Sequence, residues 1–216
     1  MPISERQRQE LETVYQNLSM DAVITQALLP VPIWQFLCWA ADHKPVVLHG
    51  SGDAQITEFE PRQSNDVSEF GNRKAVYAAS EGIWPIFYAV VDRTSHRVTI
   101  NNAAVRYQSG EGQVSDPVYF FSMSKPVLEQ RPFRQGFVYL LPKDTFETQA
   151  SYPFGSFDIV PHHCASLEPV QPLAVIQVQP SDFPFLNTIR GHDDEVLGQR
   201  AERNPNGFPW VDEQER

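Results

Sequence analysis

His49 and Tyr77 are the residues whose types and placement can do chemistry together. The apolar run Pro45-Val46-Val47-Leu48 stops abruptly at His49-Gly50-Ser51-Gly52, and a second apolar run, Ala75-Val76-Tyr77-Ala78-Ala79-Ser80, carries a tyrosine inside it. A strand ending in His-Gly beside a strand presenting Tyr is expected to place an imidazole and a phenol ring at one cleft. The imidazole can bond a sugar hydroxyl, and the glycine lets backbone approach a ligand. The phenol offers a ring face for stacking and a hydroxyl for bonding. Together they suit a ribose and a flat heterocycle.

Other polar clusters carry less. In Pro161-His162-His163-Cys164 the adjacent imidazoles point to opposite faces of a strand, so they do not share a metal, and no Cys-x-x-Cys or His-Glu-x-x-His spacing occurs. No metal is expected. Cys164 reads as a small buried hydrophobe, with a Cys–His hydrolase as a distant alternative. In Asp182–Asp194 the residues Phe183, Phe185 and Leu186 read as anchors for the last strand. His192 beside Asp193 and Asp194 would be stabilised in its charged form if they come close.

The elements that must position these groups follow from periodicity. Leu11, Val14, Tyr15 and Leu18 keep the spacing of an amphipathic helix. Ser19 is expected to cap a second short helix carrying Val23, Ile24, Ala27 and Leu28. Pro32 opens a third through Ile33, Trp34, Phe36, Leu37 and Trp39, which is apolar enough to be buried. From Pro45 onward β-rich runs alternate with loops. Strands are expected at Val46–His49, Ala75–Ala78, Val98–Ile100, Val118–Ser122, Phe137–Leu141 and Leu173–Val178. Ser80 is expected to cap a helix over Glu81–Val91. The stretch Asp53–Asn72 is a long polar loop anchored by Phe59, Pro61 and Phe70. The order predicts an α+β fold with mostly antiparallel pairing. Residues 1–44 form a helical segment packed on the core, 45–197 the α+β domain and 198–216 a charged tail in which Phe208-Pro209-Trp210 can dock.

Composition narrows the class. The chain has 216 residues, 41% of them hydrophobic, with 14 Phe, which suits a packed core. Its formal net charge of −10 disfavours a broad nucleic-acid surface, leaving Arg131, Arg134 and Lys143 as a local basic group. No run is long and apolar enough for a membrane span. The polar start does not read as a secretory signal, and Cys38 and Cys164 form no disulfide framework, so a reducing cytoplasm is expected.

The text around the pair resembles the ADP-ribosyltransferase superfamily. Leu48-His49-Gly50-Ser51, Phe59-Glu60-Pro61-Arg62, Phe70-Gly71, Val76-Tyr77-Ala78-Ala79-Ser80 and Ile86-Phe87-Tyr88-Ala89 look like the front half of such a domain. The match covers about residues 45–92, and later strands agree in order and character. The resemblance implies split, mostly antiparallel β-sheets and NAD as ADP-ribose donor, or as a molecule to be cleaved. It implies cofactor contacts from His49, Gly50, Ser51, Tyr77, Ser80 and Tyr88. The acceptor would be a protein or a nucleic acid. The family also supplies an acid that stabilises an oxocarbenium-like ribose. Glu168 is the first choice for that role and Glu147 the second; Gln135 could orient but not neutralise. His163 is the candidate to replace a missing acid, because the related tRNA 2′-phosphotransferases use basic residues there. A catalytically inactive nucleotide- or protein-binding module of the same fold is the alternative, as is a phosphotransferase-like enzyme.

Overall fold

The computed structural model describes residues 3–64, 66, 68–205 and 207–211. In chain order the elements are α1 Glu5–Gln16, α2 Ile33–His43, β1 Val46–Ser51, β2 Arg62–Gln63, β3 Lys74–Ala79, α3 Trp84–Val90, β4 Ile100–Ser109, β5 Val118–Ser124 and α4 Lys125–Leu128. Then come β6 Gly136–Pro142, β7 Glu147–Thr148, β8 Tyr152–Phe154, β9 Phe157–Pro161, β10 His163–Ser166, β11 Ala174–Val178, β12 Arg190–His192 and α5 Asp194–Arg203. The fold is α+β, with mostly antiparallel open sheets and an N-terminal helix. Among the described residues no helix is long and apolar enough to cross a membrane.

The chain divides into two compact units. Residues 1–91, 134–150 and 162–184 form the first, around a sheet of order β11-β6-β1-β3-β10-β7 with β2 beside β3. Its central strands β1 and β6 are largely apolar because both faces are covered. On one face α3 lies over β1 and β6, approaching so closely that a methyl at Gly50 would strike the Pro85 carbonyl oxygen, and one at Gly136 the Ala89 carbonyl. On the other face Val47, Tyr139, Leu141, Val76, Ala78, Cys164 and Val175 pack with Phe59, Phe146 and Val170. The 53–60 loop closes this face. Tyr139 Oη donates to the Asp53 carbonyl (2.8 Å) and accepts the Ile56 N–H (3.2 Å).

The N-terminal segment belongs to this unit. Ser4 and Gln7 form a capping box at the start of α1. Lys44 Nζ pairs with Glu12 (2.6 Å) and sits over the rings of Tyr15 and Trp39. In α2, Phe36, Leu37 and Trp39 are buried, while Trp34 is half-buried. The helix expected after Ser19 is absent. Ser19 Oγ instead accepts the Asp21 N–H, only Gln26–Leu28 makes a single 3₁₀ turn, and Ile24 forms a parallel bridge to Ile176 at the edge of β11. That edge offers two backbone bonds, Ile24 N–H to Val175 and Gln177 N–H to Ile24, where a short isolated helix must bear its own nucleation cost.

The second unit holds residues 92–133, 151–161 and 185–216, of which those beyond 211 lie outside the described residues. Its sheet runs β12-β5-β4-β9-β8, with β12 parallel to β5. Phe121 packs against Phe185 on one face, and Phe208 lies against Phe120 (5.5 Å). The strand expected at Val98–Ile100 begins at Ile100 and continues to Ser109. The charged tail expected from Gly198 is still helix there, because α5, capped by Asp193, runs to Arg203.

Because Phe36 is wholly buried and α2 contributes to the core of the first unit, Phe36→Ala is expected to cost about 3–5 kcal/mol. Urea unfolding followed by circular dichroism measures it. Removal of residues 1–44 should abolish the cooperative transition of that unit, and a soluble, cooperatively folding truncation would refute the dependence.

Candidate functional site

β1 pairs with β6 along its whole length, yet with β3 only at Leu48↔Ala79. One residue further, His49 Nδ1 lies 2.6 Å from the Tyr77 carbonyl oxygen. A carbonyl can only accept, so Nδ1 carries the proton. In the neutral ring Nε2 is then an acceptor, and among the described residues it has no hydrogen-bond partner. Burial pushes the His49 pKa down, the bond to Tyr77 partly opposing it, so the ring is neutral near pH 7. Its ring packs 4.7 Å from Phe59.

The same register separates the two expected partners. With Leu48 opposite Ala79, Gly50 is level with Tyr77 and His49 with Ala78. Gly50 lies under α3, whereas Ala78 belongs to the core with Phe59. Side chains alternate along a strand, so His49 and Tyr77 leave on opposite faces. The expectation of one cleft lined by both side chains is corrected: His49 reaches Tyr77 through its backbone. Gly50 is the residue that shares the Tyr77 face, and its bare Cα serves helix packing.

The Tyr77 face gathers aromatic rings. β10 pairs with β3 as His163↔Ala79 and Ala165↔Tyr77, which puts His163 on this face. Its ring lies 5.0 Å from Tyr77, 5.3 Å from Phe70 and 5.6 Å from Trp84, and Trp84 lies 6.2 Å from Tyr88. All five side chains are half-buried. Trp84 is held at the start of α3 because the buried Glu81 carboxylate accepts the N–H groups of Ile83 (2.6 Å) and Trp84 (2.9 Å). The Tyr77 hydroxyl is fully engaged: it accepts the Arg73 N–H (2.8 Å) and donates to the Phe70 carbonyl (2.9 Å) or that of Arg73 (3.1 Å). Only its ring face remains for a ligand. Burial pushes the His163 pKa down, with Asp66 partly opposing.

No protein-family profile, no curated protein and no solved structure matches this chain. Its own residues carry the functional reading.

The remaining candidates divide. Ser80 caps no helix: its hydroxyl lies 3.0 Å from His162 Nδ1, and Glu81 performs the capping. Ser51 Oγ accepts the Asp53 N–H (3.1 Å) and shapes the turn after β1. Glu168 is not brought to the rings. It follows Ser166 at the opposite end of β10 from His163, its backbone tied to the Ser166 hydroxyl and its side chain exposed. Glu147 pairs with Ala165, which pairs with Tyr77, so its Cβ lies on the ring-bearing face. It makes an ion pair with Arg73, whose guanidinium also sits over the Phe70 ring (4.6 Å). Gln135 is exposed and accepts from Gln179. Cys164 is wholly buried, and burial pushes its thiol pKa up, so it is a poor nucleophile. Among the described residues no three His, Cys, Asp or Glu side chains gather to hold a metal ion.

Within the second unit, His192 Nδ1 lies 2.9 Å from Ser122 Oγ and Nε2 3.3 Å from Asp194, which also accepts from Ser124 (2.7 Å). The residue types match a nucleophile–base–acid relay, but Ser122 is fully buried and the carboxylate is the exposed end. The network ties β5, β12 and α5 together. A separate cavity of about 290 Å³ in this unit is lined by Arg200, Arg203, Asn204 and Trp210 among others.

Trp84 is the site residue that sequence reasoning missed. The signal was present as Trp84 and Tyr88 at helical i, i+4 spacing. The depressed pKa values of His49 and His163 set a pH dependence. Unfolded histidine titrates near 6.5, above both folded values, so the unfolded chain binds more protons on acidification. Stability is full above about pH 6.5 and falls as the pH drops toward the folded values. Urea midpoints at pH 7.5 and 5.5 should show this loss, and His163→Gln should reduce it; equal midpoints in the wild type would refute it.

Proposed function

We propose that this chain is a NAD-binding domain of the ADP-ribosyltransferase-like type, in which the nicotinamide ring stacks on the aromatic face at Tyr77. The observation that carries the reading is the half-buried group of Phe70, Tyr77, Trp84 and His163, assembled where β1 and β3 part. A ring system of this kind, with its hydroxyl already engaged, favours a flat heterocycle, neutral or cationic, over a sugar or an extended peptide. The identity of that heterocycle rests on the sequence resemblance of the His49-Gly50 and Tyr77 segments alone, because the two side chains leave on opposite faces. His49 acts in this reading as a positioning residue, holding the Tyr77 backbone.

The arrangement supports binding more strongly than turnover. Glu147, on the ring-bearing face, is already paired with Arg73, and the first-choice acid, Glu168, lies past the end of β10 opposite His163. Transfer or cleavage would draw on Glu147 instead. Its Cα is two strand spacings from that of Tyr77, about 9–10 Å, a gap that a ribose attached to a stacked ring can bridge. Released from Arg73, its carboxylate could stabilise a cationic sugar.

Titration calorimetry with NAD tests the reading. Tyr77→Ala and Trp84→Ala are each expected to weaken binding by about tenfold or more, the loss of a stacking contact worth about 1–3 kcal/mol, while Tyr77→Phe retains it. If NAD is turned over, Glu147→Gln should lower the rate by about 10²-fold, and Glu168→Gln should leave it unchanged. Failure of the unmodified protein to bind NAD would overturn the assignment.

A further inference from the structure

The imidazole of His163 is the unspent polar group of the aromatic face. Phe70 contributes only a ring there, and the hydroxyl of Tyr77 is consumed by Arg73 and Phe70. His163 is half-buried between three rings, and among the described residues neither of its ring nitrogens has a hydrogen-bond partner. Its neighbour His162 is bonded to Ser80, and His49 to Tyr77, so His163 differs from both in being tied to nothing. Because the ring is only half-buried, its nitrogens are open to a ligand as they are to water.

We propose that His163 reads the exocyclic carboxamide of the stacked ring, making the site selective for nicotinamide over nicotinate. This rests on the preceding reading that the ring of a nicotinamide dinucleotide stacks on Tyr77. Gly50, the residue that the family resemblance would give this task, has its Cα pressed against α3. A neutral imidazole offers either a donor to the amide oxygen or an acceptor to the amide N–H. It offers no cation to a carboxylate, which would lie desolvated among the rings. Protonation erodes the preference, because an imidazolium can pair with nicotinate and loses its acceptor. Burial keeps the ring neutral near pH 7.

The charged and titratable groups around His163 are Asp66 and Arg73 in the loop before β3, Tyr77 on β3, Glu147 on β7 paired with Arg73, and, behind Trp84, Glu81 and Tyr88. None of these side-chain types ordinarily titrates between pH 5 and 8, whereas histidine does. A change of selectivity in that interval, removed by substitution of His163, therefore reports this imidazole.

The test is calorimetric titration of the full chain with NAD and with nicotinic acid adenine dinucleotide at pH 8 and pH 5.5. The two ligands differ only in the amide and the carboxylate. The wild type is expected to prefer NAD by tenfold or more at pH 8 and to lose most of that preference at pH 5.5. His163→Gln, which keeps a donor and an acceptor but does not titrate, should hold its preference for NAD at both values. His163→Ala should bind the two ligands within about threefold of each other at both. If both ligands bind the wild type with a ratio that does not change with pH, the role of His163 is overturned while the stacking site stands. Should neither ligand bind at all, the stacking site falls, and the role of His163 with it.

Discussion

The hydrogen bond from His49 Nδ1 to the Tyr77 carbonyl is the constraint on which the ring-bearing face depends. β1 and β3 form a single residue pair, and the next link between them is an imidazole instead of a backbone amide. A side chain thus takes over from the ladder at the point where two central strands part. The bond fixes the tautomer of His49 and the path of β3 through Tyr77. β10 then brings in His163 by its own backbone pairing with β3. Removing the ring would leave the carbonyl of a central strand without its donor, a cost set by desolvation.

The hydroxyl of Tyr77 extends the same logic outward. It draws the turn at Phe70 and Arg73 back onto the sheet, and that turn supplies one wall of the ring cluster. Glu81 does the corresponding task from the other side by holding Trp84 at the start of α3. Each wall is therefore fixed by hydrogen bonds made behind the rings. Rings positioned in this way have little freedom left to lose, which would favour affinity for any flat molecule stacked on them.

Much of the architecture was legible because its causes are local. The periodicity of Leu11, Val14 and Tyr15 belongs to α1, the apolar run from Val46 to β1 and the density of Phe36, Leu37 and Trp39 to a buried α2. Where local signals competed with partners distant in sequence, they were overridden. Ser19 looked like a helix cap, but Ile24 finds backbone partners on β11. Ser80 likewise looked like a cap, but Glu81, one residue on, has the reach to accept two N–H groups, and Ser80 turns to His162. The pairing of His49 with Tyr77 was recognisable, but not its form. A shift of one residue in register moves a side chain to the other face, and no feature of either segment alone sets that register. His163 was marked as a possible stand-in for an acid, and only β10 pairing places it beside Tyr77. The relation of Glu147 to the same face depends on a two-residue strand that no periodicity can announce.

The capping of α3 by Glu81 has a consequence for any phosphorylated ligand. The start of a helix ordinarily offers free N–H groups and a positive pole, and nucleotide sites often exploit both. Here a buried carboxylate already occupies the N–H groups of Ile83 and Trp84 and brings negative charge of its own. A diphosphate entering beside Trp84 would meet repulsion where many folds provide an anchor. A dinucleotide on this face would therefore be held by its ring, with its phosphates directed away from the helix toward solvent or toward side chains that carry charge.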